Sequence, residues 1–272
     1  MAVPPASKPL VVTVHDVDFL EHPERLSRRG ASFFPRAWQA AVDRAERIVV
    51  PSTTVAGKVG RYGVASERVE VIPWGVDSRR VPREHQLGVV ERLGLPERFV
   101  LWVGTAEPRK NLPGLIAAMQ EPALRSVPLV IAGPEGWGID LADTLLPLGD
   151  RAMRLGYLER ADLLSVYARA TVFAYPSLDE GFGLPVLEAM AQGAPVVTSS
   201  GTATEEVAGG AAELVDPNDP SSISAAIARI LGDDDLSARR SAAGLDRART
   251  ATWAATADRH AAMFHALAGS AS

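Results

Sequence analysis

Short apolar runs alternate with longer mixed segments along most of the chain. In the first part, the pattern predicts strands at 10–14, 47–51 and 69–73, with helices at 35–46 and 53–62. Further along, apolar runs predict strands at 99–103, 129–132, 151–155, 171–174, 195–198 and 214–215, with helices between them. Such alternation is typical of parallel α/β sheets, which bind ligands at the carboxyl ends of their strands.

The segment between the two groups of strands carries the weakest pattern. From Asp77 to Leu95 the chain contains Pro82 and shows no sustained periodicity, which predicts a linker at 81–95. The predicted organisation is a first domain at 1–80, the linker, a second domain at 96–250, and a helix in 251–272 that crosses back to the first domain. Its packing residues are expected at helical spacing: Trp253, Ala257, His260, Met263, Phe264 and Leu267.

The stretch from Tyr175 to Thr198 predicts a ligand site. A buried strand delivers Glu180 into a turn, and Gly181 and Gly183 allow the backbone of that turn to approach a ligand closely. Pro185 suits the first position of a helix, because its missing N–H would have no partner there.

The start of this helix is a candidate anion site. The N–H groups near Gly183, Leu184 and Val186 point the same way as the positive end of the helix dipole, so a diphosphate would fit. Glu188 lies one turn further on, where a carboxylate could accept two hydrogen bonds from a ribose diol, worth about 1.5–3 kcal/mol each. Alternatively, Glu188 only complements the helix N-terminus and Glu180 lies in an ordinary loop.

A second loop, from Gly104 to Asn111, also follows a strand and precedes a helix. Arg109 brings a planar fork of donors and Lys110 a point charge, a pair that suits a diphosphate. The alternative is a solvated basic turn that caps the following helix.

Composition narrows the function classes. The chain has 272 residues, of which 47% are hydrophobic, enough for one large or two modest domains. It contains no cysteine, so disulfides and thiolate metal sites are excluded and a cytoplasmic setting is the default. No apolar run approaches the roughly 18 residues that span a bilayer. A G-x-G-x-x-G motif is absent, which argues against a dehydrogenase.

The net charge of −5 is unevenly distributed. Between residues 20 and 68, nine basic residues exceed five acidic ones, an excess of four that leaves −9 for the remainder. This basic region could contact an anionic membrane surface or a phosphate-bearing lipid at the inner membrane face. The alternative is a solvated helical face. We expect no nucleic-acid partner.

Together the motifs resemble the retaining glycosyltransferases of family 4. Glu180 and Glu188 match the spacing of two glutamates in the donor-site motif of that family. The resemblance runs from about residue 9 to 264, and the other matching strings lie at 12–16, 71–77, 103–111 and 155–158.

The resemblance implies an α/β fold of the GT-B type, with a complete C-terminal Rossmann-like domain and a partial N-terminal one that lacks its early part. It implies transfer of a hexosyl group with retention from a nucleotide sugar, with GDP-mannose as the expected donor. The acceptor would be a glycan, a lipid-linked sugar or a small molecule. Neither a cofactor nor a metal is expected. Because an incomplete sheet exposes strand edges that invite pairing, a homo-oligomer is a further expectation.

Residue roles follow from the same resemblance. Family members often carry an arginine directly after the loop glycine, where this chain has Thr105, and we expect Arg109 to replace it. His15 would orient the donor sugar or stabilise positive charge at its anomeric carbon. The expected catalytic residues are His15, Arg109, Lys110 and Glu180. The expected donor-binding residues are Gly104, Thr105, Arg109, Lys110, Gly133, Tyr157, Leu158, Gly181, Phe182, Gly183, Leu184, Pro185 and Glu188.

Two other functions stay open at this point. One is a nucleotide-sugar-binding module without transfer activity, and the other is a sugar-nucleotide epimerase of similar fold.

Overall fold

The computed structural model describes residues 9–25 and 28–270, and the chain divides into two units. The first unit contains the residues up to Gly75 together with those from Trp253 onward, and the second contains Val76–Thr252. Each unit is built around a parallel sheet. In the described residues, no helix has both the length and the apolar character needed to cross a membrane.

The sheet of the first unit has three strands in the order of the chain. These strands are β1 (Val11–Thr13), β2 (Arg47–Val50) and β3 (Val69–Val71), joined by helices α1 (Asp18–Glu21), α2 (Arg28–Arg44) and α3 (Thr53–Arg61). The Ser52 hydroxyl accepts a hydrogen bond from the Val55 N–H at 3.2 Å and so caps α3. Helix α2 begins seven residues before the predicted start and contains Pro35 within it.

The second unit holds a larger sheet with eight helices. Its strands are β4 (Val100–Val103), β5 (Leu129–Ala132), β6 (Ala152–Gly156), β7 (Val172–Tyr175), β8 (Val196–Ser199) and β9 (Glu213–Val215). The helices are α4 (Arg83–Leu93), α5 (Leu112–Met119), α6 (Leu141–Leu145), α7 (Arg160–Arg169), α8 (Leu184–Gln192), α9 (Ala203–Ala208), α10 (Pro220–Gly232) and α11 (Asp234–Thr250).

Short 3-10 segments occur in both units. In the first unit they lie at Pro23–Arg25 and Ser66–Arg68, and in the second at Pro108–Lys110, Pro122–Leu124 and Leu146–Arg151.

The strand order of this sheet is β6-β5-β4-β7-β8-β9, and all neighbouring pairs are parallel. Strands β4, β5, β7 and β8 are buried at every position, which is why β4, β5 and β7 are apolar or aromatic throughout, whereas β8 ends in Thr198 and Ser199. The order reverses between β4 and β7, since β5 and β6 extend from one side of this pair and β8 and β9 from the other.

The predicted linker at 81–95 contains a regular helix instead. Helix α4 occupies Arg83–Leu93 and ends at Gly94, which adopts the left-handed conformation with φ 65°. Pro82 precedes the first turn rather than interrupting the helix, a place where proline is tolerated. The helix was missed because few of its residues are buried, so its hydrophobic periodicity is weak.

The last helix, α12 (Trp253–Ser270), belongs to the first unit. Met263 and Leu267 pack against Val49 of β2 and Ile72. The prediction that Trp253, Ala257 and Phe264 also pack is wrong, because all three are exposed. Only a narrow stripe of the helix faces the sheet, and these side chains project beside it.

Candidate functional site

The predicted site loops lie at the carboxyl edge of the second sheet, where the strand order reverses. Arg109 and Lys110 lie in the loop after β4, and Glu180 lies in the loop after the adjacent strand β7. In open parallel sheets, ligands bind at such switch points because the two loops diverge and leave a crevice.

Four charged side chains form one cluster at this point. Arg109 donates to Glu180 Oε2 at 2.8 Å through Nη1 and to Glu107 Oε1 at 2.8 Å through Nη2. Lys110 Nζ donates to Glu180 Oε1 at 2.6 Å. The four side chains are largely buried, with 7–17% of each exposed. Two cations and two carboxylates balance here, so the cluster has no formal net charge.

Two hydroxyl groups complete the surroundings of Glu180. Tyr175 and Ser177 donate to Oε1 at 2.8 and 3.2 Å. Lys110 Nζ also donates to the Tyr175 hydroxyl at 2.6 Å. Glu180 is therefore held by donors from both loops and from the end of β7, which fixes its orientation.

The pKa values in this cluster are set by burial and by the charges of neighbouring side chains. Burial alone would raise the pKa of Glu180, but the positive charges of Lys110 and Arg109 and their hydrogen bonds outweigh it, so the pKa lies below its usual value. Burial, with the negative charge of Glu180, raises the pKa of Tyr175 well above its usual range. The carboxylate is thus ionised and the phenol protonated at neutral pH.

Asn111 joins the two loops and is the one described non-glycine residue with positive φ, at 55°. Its Nδ2 donates to the carbonyl of Pro176, in the loop after β7, at 2.9 Å and to that of Pro217 at 2.7 Å. Asparagine tolerates this left-handed conformation better than most residues. The side chain therefore fixes the distance between the basic loop and the glutamate loop.

Helix α8 begins next to the cluster, at Leu184, with Pro185 in its first turn. Gly183 caps it with φ 97°, and a Cβ there would lie 2.7 Å from Thr204 Cγ2. Only glycine fits this position, for both reasons. The preceding Gly181 and Phe182 are buried. The positive end of the α8 dipole lies at the carboxyl edge of the sheet, as the sequence predicted.

Glu188 lies in the second turn of α8 and is 8% exposed. Arg160 at the start of α7 donates to its Oε1 at 2.9 Å. The Tyr167 hydroxyl, further along α7, donates to its Oε2 at 3.5 Å. Helix α7 thus supplies both of these contacts.

A glycine seam (Gly104, Gly133 and Gly136) brings the loops after β4 and β5 together. A Cβ on Gly133 would lie 2.0 Å from the Gly104 carbonyl oxygen, and one on Gly136 would lie 2.1 Å from that of Ala106. Thr105 is half-buried beside Gly136. The backbones of the two loops touch here.

Two large aromatic side chains are exposed at the same edge of the sheet. Tyr157, after β6, is 73% exposed, and Trp137, after β5, is 56% exposed. Leu158 is half-buried. The loop after β5 neighbours the basic loop in the strand order, and the loop after β6 lies one strand further out. Both loops offer apolar surface to a ligand.

His15 lies in the first unit, just after β1. Its side chain is exposed, and its ring contacts Trp74 edge-on with centroids 5.2 Å apart. Its catalytic role stays a prediction.

Sequence reasoning missed four side chains that donate to the two glutamates, and it missed Glu107, which pairs with Arg109. Glu107, Tyr175 and Ser177 all lie within the motifs, so these three were visible there. Arg160 and Tyr167 had no local signal, since they lie 28 and 21 residues from Glu188 along the chain.

Two family models match the sequence. One, described as Glycosyl transferases group 1, matches residues 90–247. The other, described as Glycosyltransferase Family 4, matches residues 2–80.

Curated proteins from several bacteria are similar to this chain. O-antigen chain mannosyltransferase B of Escherichia coli is 35% identical over 254 residues, which cover 89% of this chain and 66% of that protein. D-inositol 3-phosphate glycosyltransferase of Nocardioides sp. is 33% identical, covering 79% of this chain and 53% of that protein. The serotype-specific mannosyltransferase WbdA of Escherichia coli is 31% identical, covering 80% and 28%. The chain spans less than two thirds of the length of each of these relatives.

Solved structures confirm the predicted fold. HepE of Anabaena in complex with UDP and glucose superimposes with a TM-score of 0.81 at 22% identity, covering 95% of this chain and 72% of that one. WaaG, a glycosyltransferase involved in lipopolysaccharide biosynthesis, superimposes with a TM-score of 0.77 at 14% identity, covering 95% and 78%. The fold is α/β of the GT-B type, and by its matched residues the chain belongs to the glycosyltransferases of group 1.

Proposed function

We propose that this protein transfers a hexosyl group with retention from a nucleotide sugar to a glycan, a lipid-linked sugar or a small-molecule acceptor. The observation that carries the proposal is the cluster of Arg109, Lys110 and Glu180 at the switch point of the second sheet. It combines two cations, a fixed carboxylate and a neighbouring helix N-terminus, which suits a diphosphate attached to a sugar.

The expected reaction is a front-side displacement. The bond between the anomeric carbon and the diphosphate breaks, and a bond to the acceptor oxygen forms on the same face. The proton of the acceptor hydroxyl passes to an oxygen of the departing diphosphate. Arg109, Lys110 and the N-terminus of α8 stabilise the charge that grows on that diphosphate, since each is fixed in place before the reaction.

The two glutamates have separate roles in this proposal. Glu180 contacts hydroxyl groups of the donor sugar, since donors from both loops hold it in a fixed orientation. Glu188 accepts hydrogen bonds from the ribose. The loop with Tyr157 and Leu158 contacts the base, because it lies at the same edge of the sheet and presents exposed aromatic surface.

The comparisons with known proteins support a nucleotide sugar as the donor, and they are compatible with more than one base and more than one sugar in it. Two similar proteins are named mannosyltransferases, which supports a mannosyl donor such as GDP-mannose. A structural neighbour was solved with UDP-glucose. We expect calorimetric titration of the chain with GDP-mannose, UDP-glucose, GDP and UDP to show binding of a guanine nucleotide. Binding of the uridine nucleotides alone would contradict the choice of GDP-mannose.

Measurement of kcat tests whether Lys110 stabilises the departing diphosphate. Lys110→Ala should lower kcat about 100-fold, because a preorganised charge in a water-poor site is lost. Lys58→Ala is a matched control, since Lys58 also pairs with a glutamate, at 2.7 Å, and its side chain is 14% exposed against 13% for Lys110. A Lys110→Ala variant with normal kcat would remove this lysine from the site.

Product analysis separates the proposed transfer from the two other functions. Binding of a nucleotide sugar without transfer to any acceptor would favour a binding module. Conversion of the donor sugar to its epimer without an acceptor, followed by NMR, would favour an epimerase.

The basic region of the first unit supports contact with an anionic membrane, which would place the protein at the inner membrane face. On α2, Arg28, Arg29 and Arg36 are exposed, and Phe33 beside them is 48% exposed. Arginines attract anionic lipid by about 1 kcal/mol each, and an exposed aromatic ring inserts at the interface.

Sedimentation with vesicles tests this contact. The chain should bind vesicles that contain phosphatidylglycerol more tightly than neutral phosphatidylcholine vesicles, and added salt should weaken the binding. The double variant Arg28→Gln, Arg29→Gln should lose most of the difference, whereas Arg259→Gln on α12, also exposed, should retain it. Equal binding to both vesicle types would contradict the proposal.

A further inference from the structure

Helix α7 holds the carboxylate of Glu188 from two sides. Arg160 Nη1 donates to Oε1 at 2.9 Å, and the Tyr167 hydroxyl donates to Oε2 at 3.5 Å. The side chain of Glu188 is 10% exposed, whereas the side chain of Arg160 is 57% exposed. One donor therefore lies at the surface and the other in the core.

Tyr167 is a rigid donor. It is fully buried, and its ring contacts that of Phe173 in β7 edge-on, with centroids 5.2 Å apart. Burial, followed by the negative charge of Glu188, raises the pKa of Tyr167 well above its usual range. The hydroxyl therefore stays protonated and donates a hydrogen bond to the carboxylate.

Arg160 contacts the Glu188 carboxylate from the surface, with a hydrogen bond of 2.9 Å to Oε1. Its charge also helps to lower the pKa of Asp77, whose main partner is Arg79. Because its short contact is to Glu188, we expect Arg160 to act on a ligand through this glutamate.

We propose that Arg160 and Tyr167 are positioning residues that aim Glu188 at the 2′- and 3′-hydroxyls of the donor ribose and so make the site select ribonucleotides over 2′-deoxyribonucleotides. This rests on the proposed function. A carboxylate offers about four lone-pair directions, and α7 occupies one on each oxygen. That leaves one lone-pair direction on each oxygen, which is the number that the two donors of a cis-diol require.

The experiment compares nucleoside diphosphates with and without the 2′-hydroxyl. The full chain is titrated by calorimetry with GDP, 2′-deoxy-GDP, UDP and 2′-deoxy-UDP, and the ratio of Kd values is taken within each pair. The wild-type chain should prefer the ribo form by about tenfold or more, the loss expected when one charge-assisted hydrogen bond is missing. Arg160→Met should bring the ratio close to one, and Tyr167→Phe should lower it less, because its bond is longer.

Two controls separate positioning from general support of the fold. Arg92→Met is matched to Arg160→Met, since Arg92 is 55% exposed and pairs at 2.7 Å with Asp162, also on α7. It should leave the ratio unchanged. In a Glu188→Gln background, which lowers the ratio by itself, Arg160→Met should have no further effect on it. Arg160→Lys should restore part of the preference.

The outcomes distinguish this inference from the function on which it rests. If the wild-type chain binds none of the four diphosphates, the proposed function fails and the inference with it. If the wild-type chain binds them and Arg160→Met keeps the wild-type ratio, the inference is overturned while the donor site stands. An equal loss of the ratio in Arg92→Met would also overturn it, because the effect would then come from displacement of α7.

Discussion

Glu180 and Glu188 are eight residues apart and almost equally buried, yet their surroundings differ. Glu180 receives hydrogen bonds from Arg109, Lys110, Tyr175 and Ser177. In the part of the chain that the structure describes, Glu188 receives one firm bond from a largely exposed arginine and one long bond from a tyrosine.

The difference shows that one motif can place two equally buried carboxylates in very different hydrogen-bonding environments. Glu180 is the centre of a network that joins two loops, so its loss affects the frame of the site. In the proposed function Glu188 offers its remaining lone pairs to the ribose, so its loss should affect recognition more than folding. Burial alone, at 6% and 8% exposure, would not have separated them.

The largest expected effect is the loss of folding stability when Glu180 is replaced, compared with the loss when Glu188 is replaced. Glu180→Ala leaves Arg109 and Lys110 with less compensating charge and should lower the free energy of unfolding by about 4 kcal/mol. Glu188→Ala should lower it by about 1 kcal/mol, the value of an ordinary hydrogen bond. Urea unfolding at neutral pH measures both, and equal losses would show that the two environments do not differ in energy.

A smaller effect is expected at Asn111, which holds the loops around Glu180. Asn111→Gly removes the bonds to Pro176 and Pro217 and should cost about 2 kcal/mol. Asn111→Ala should cost about 1 kcal/mol more, because alanine is strained at φ 55°. If alanine proves no worse than glycine in urea unfolding, the left-handed conformation is not required there.

The turn between the two glutamates should be sensitive to one methyl group. Gly183→Ala places a Cβ against Thr204 at positive φ and should cost about 1–2 kcal/mol in urea unfolding. Thr204→Ser removes the methyl that would clash, so adding Gly183→Ala to that variant should cost less than adding it to the wild-type chain. Equal costs in the two backgrounds would assign the effect to the backbone conformation alone.

The last expected effect is confined to acid. The pKa of Glu180 is lower in the folded chain than in the unfolded one, so its stabilising effect is present above the usual glutamate pKa of about 4.3 and is lost as pH falls through the folded value. The difference in unfolding free energy between the wild-type chain and Glu180→Gln should therefore shrink below about pH 4. A constant difference down to pH 3 would contradict the lowered pKa.

Most of the fold could be predicted because its signals are local. The buried strands of the second unit are short apolar runs, and the structure places them within about two residues of the prediction. Helix α4 was missed because little of it is buried. The predicted start of α2, at Pro35, is seven residues late, since proline is more common at a helix start than inside a helix. On α12, spacing alone could not tell which apolar residues face the sheet.

The site could be predicted as far as its residues belong to contiguous motifs. Glu180, Lys110 and Arg109 stood out because their loops follow strands, and the sheet brings them together. Arg160 and Tyr167 could not be found, because their meeting with Glu188 depends on how α7 packs beside α8. Contacts between helices that follow different strands depend on tertiary packing, and the local sequence pattern does not indicate them.

The glycine seam has a consequence for protein engineering. A library that diversifies the loop after β5 would fail at Gly133 and Gly136 for steric reasons, whatever donor was selected, since a Cβ there meets a backbone oxygen at about 2 Å. Trp137 and Tyr157, by contrast, are exposed and can be randomised without disturbing the core. Under the proposed function, a search for altered donor preference should therefore vary these two aromatic positions and leave the seam intact.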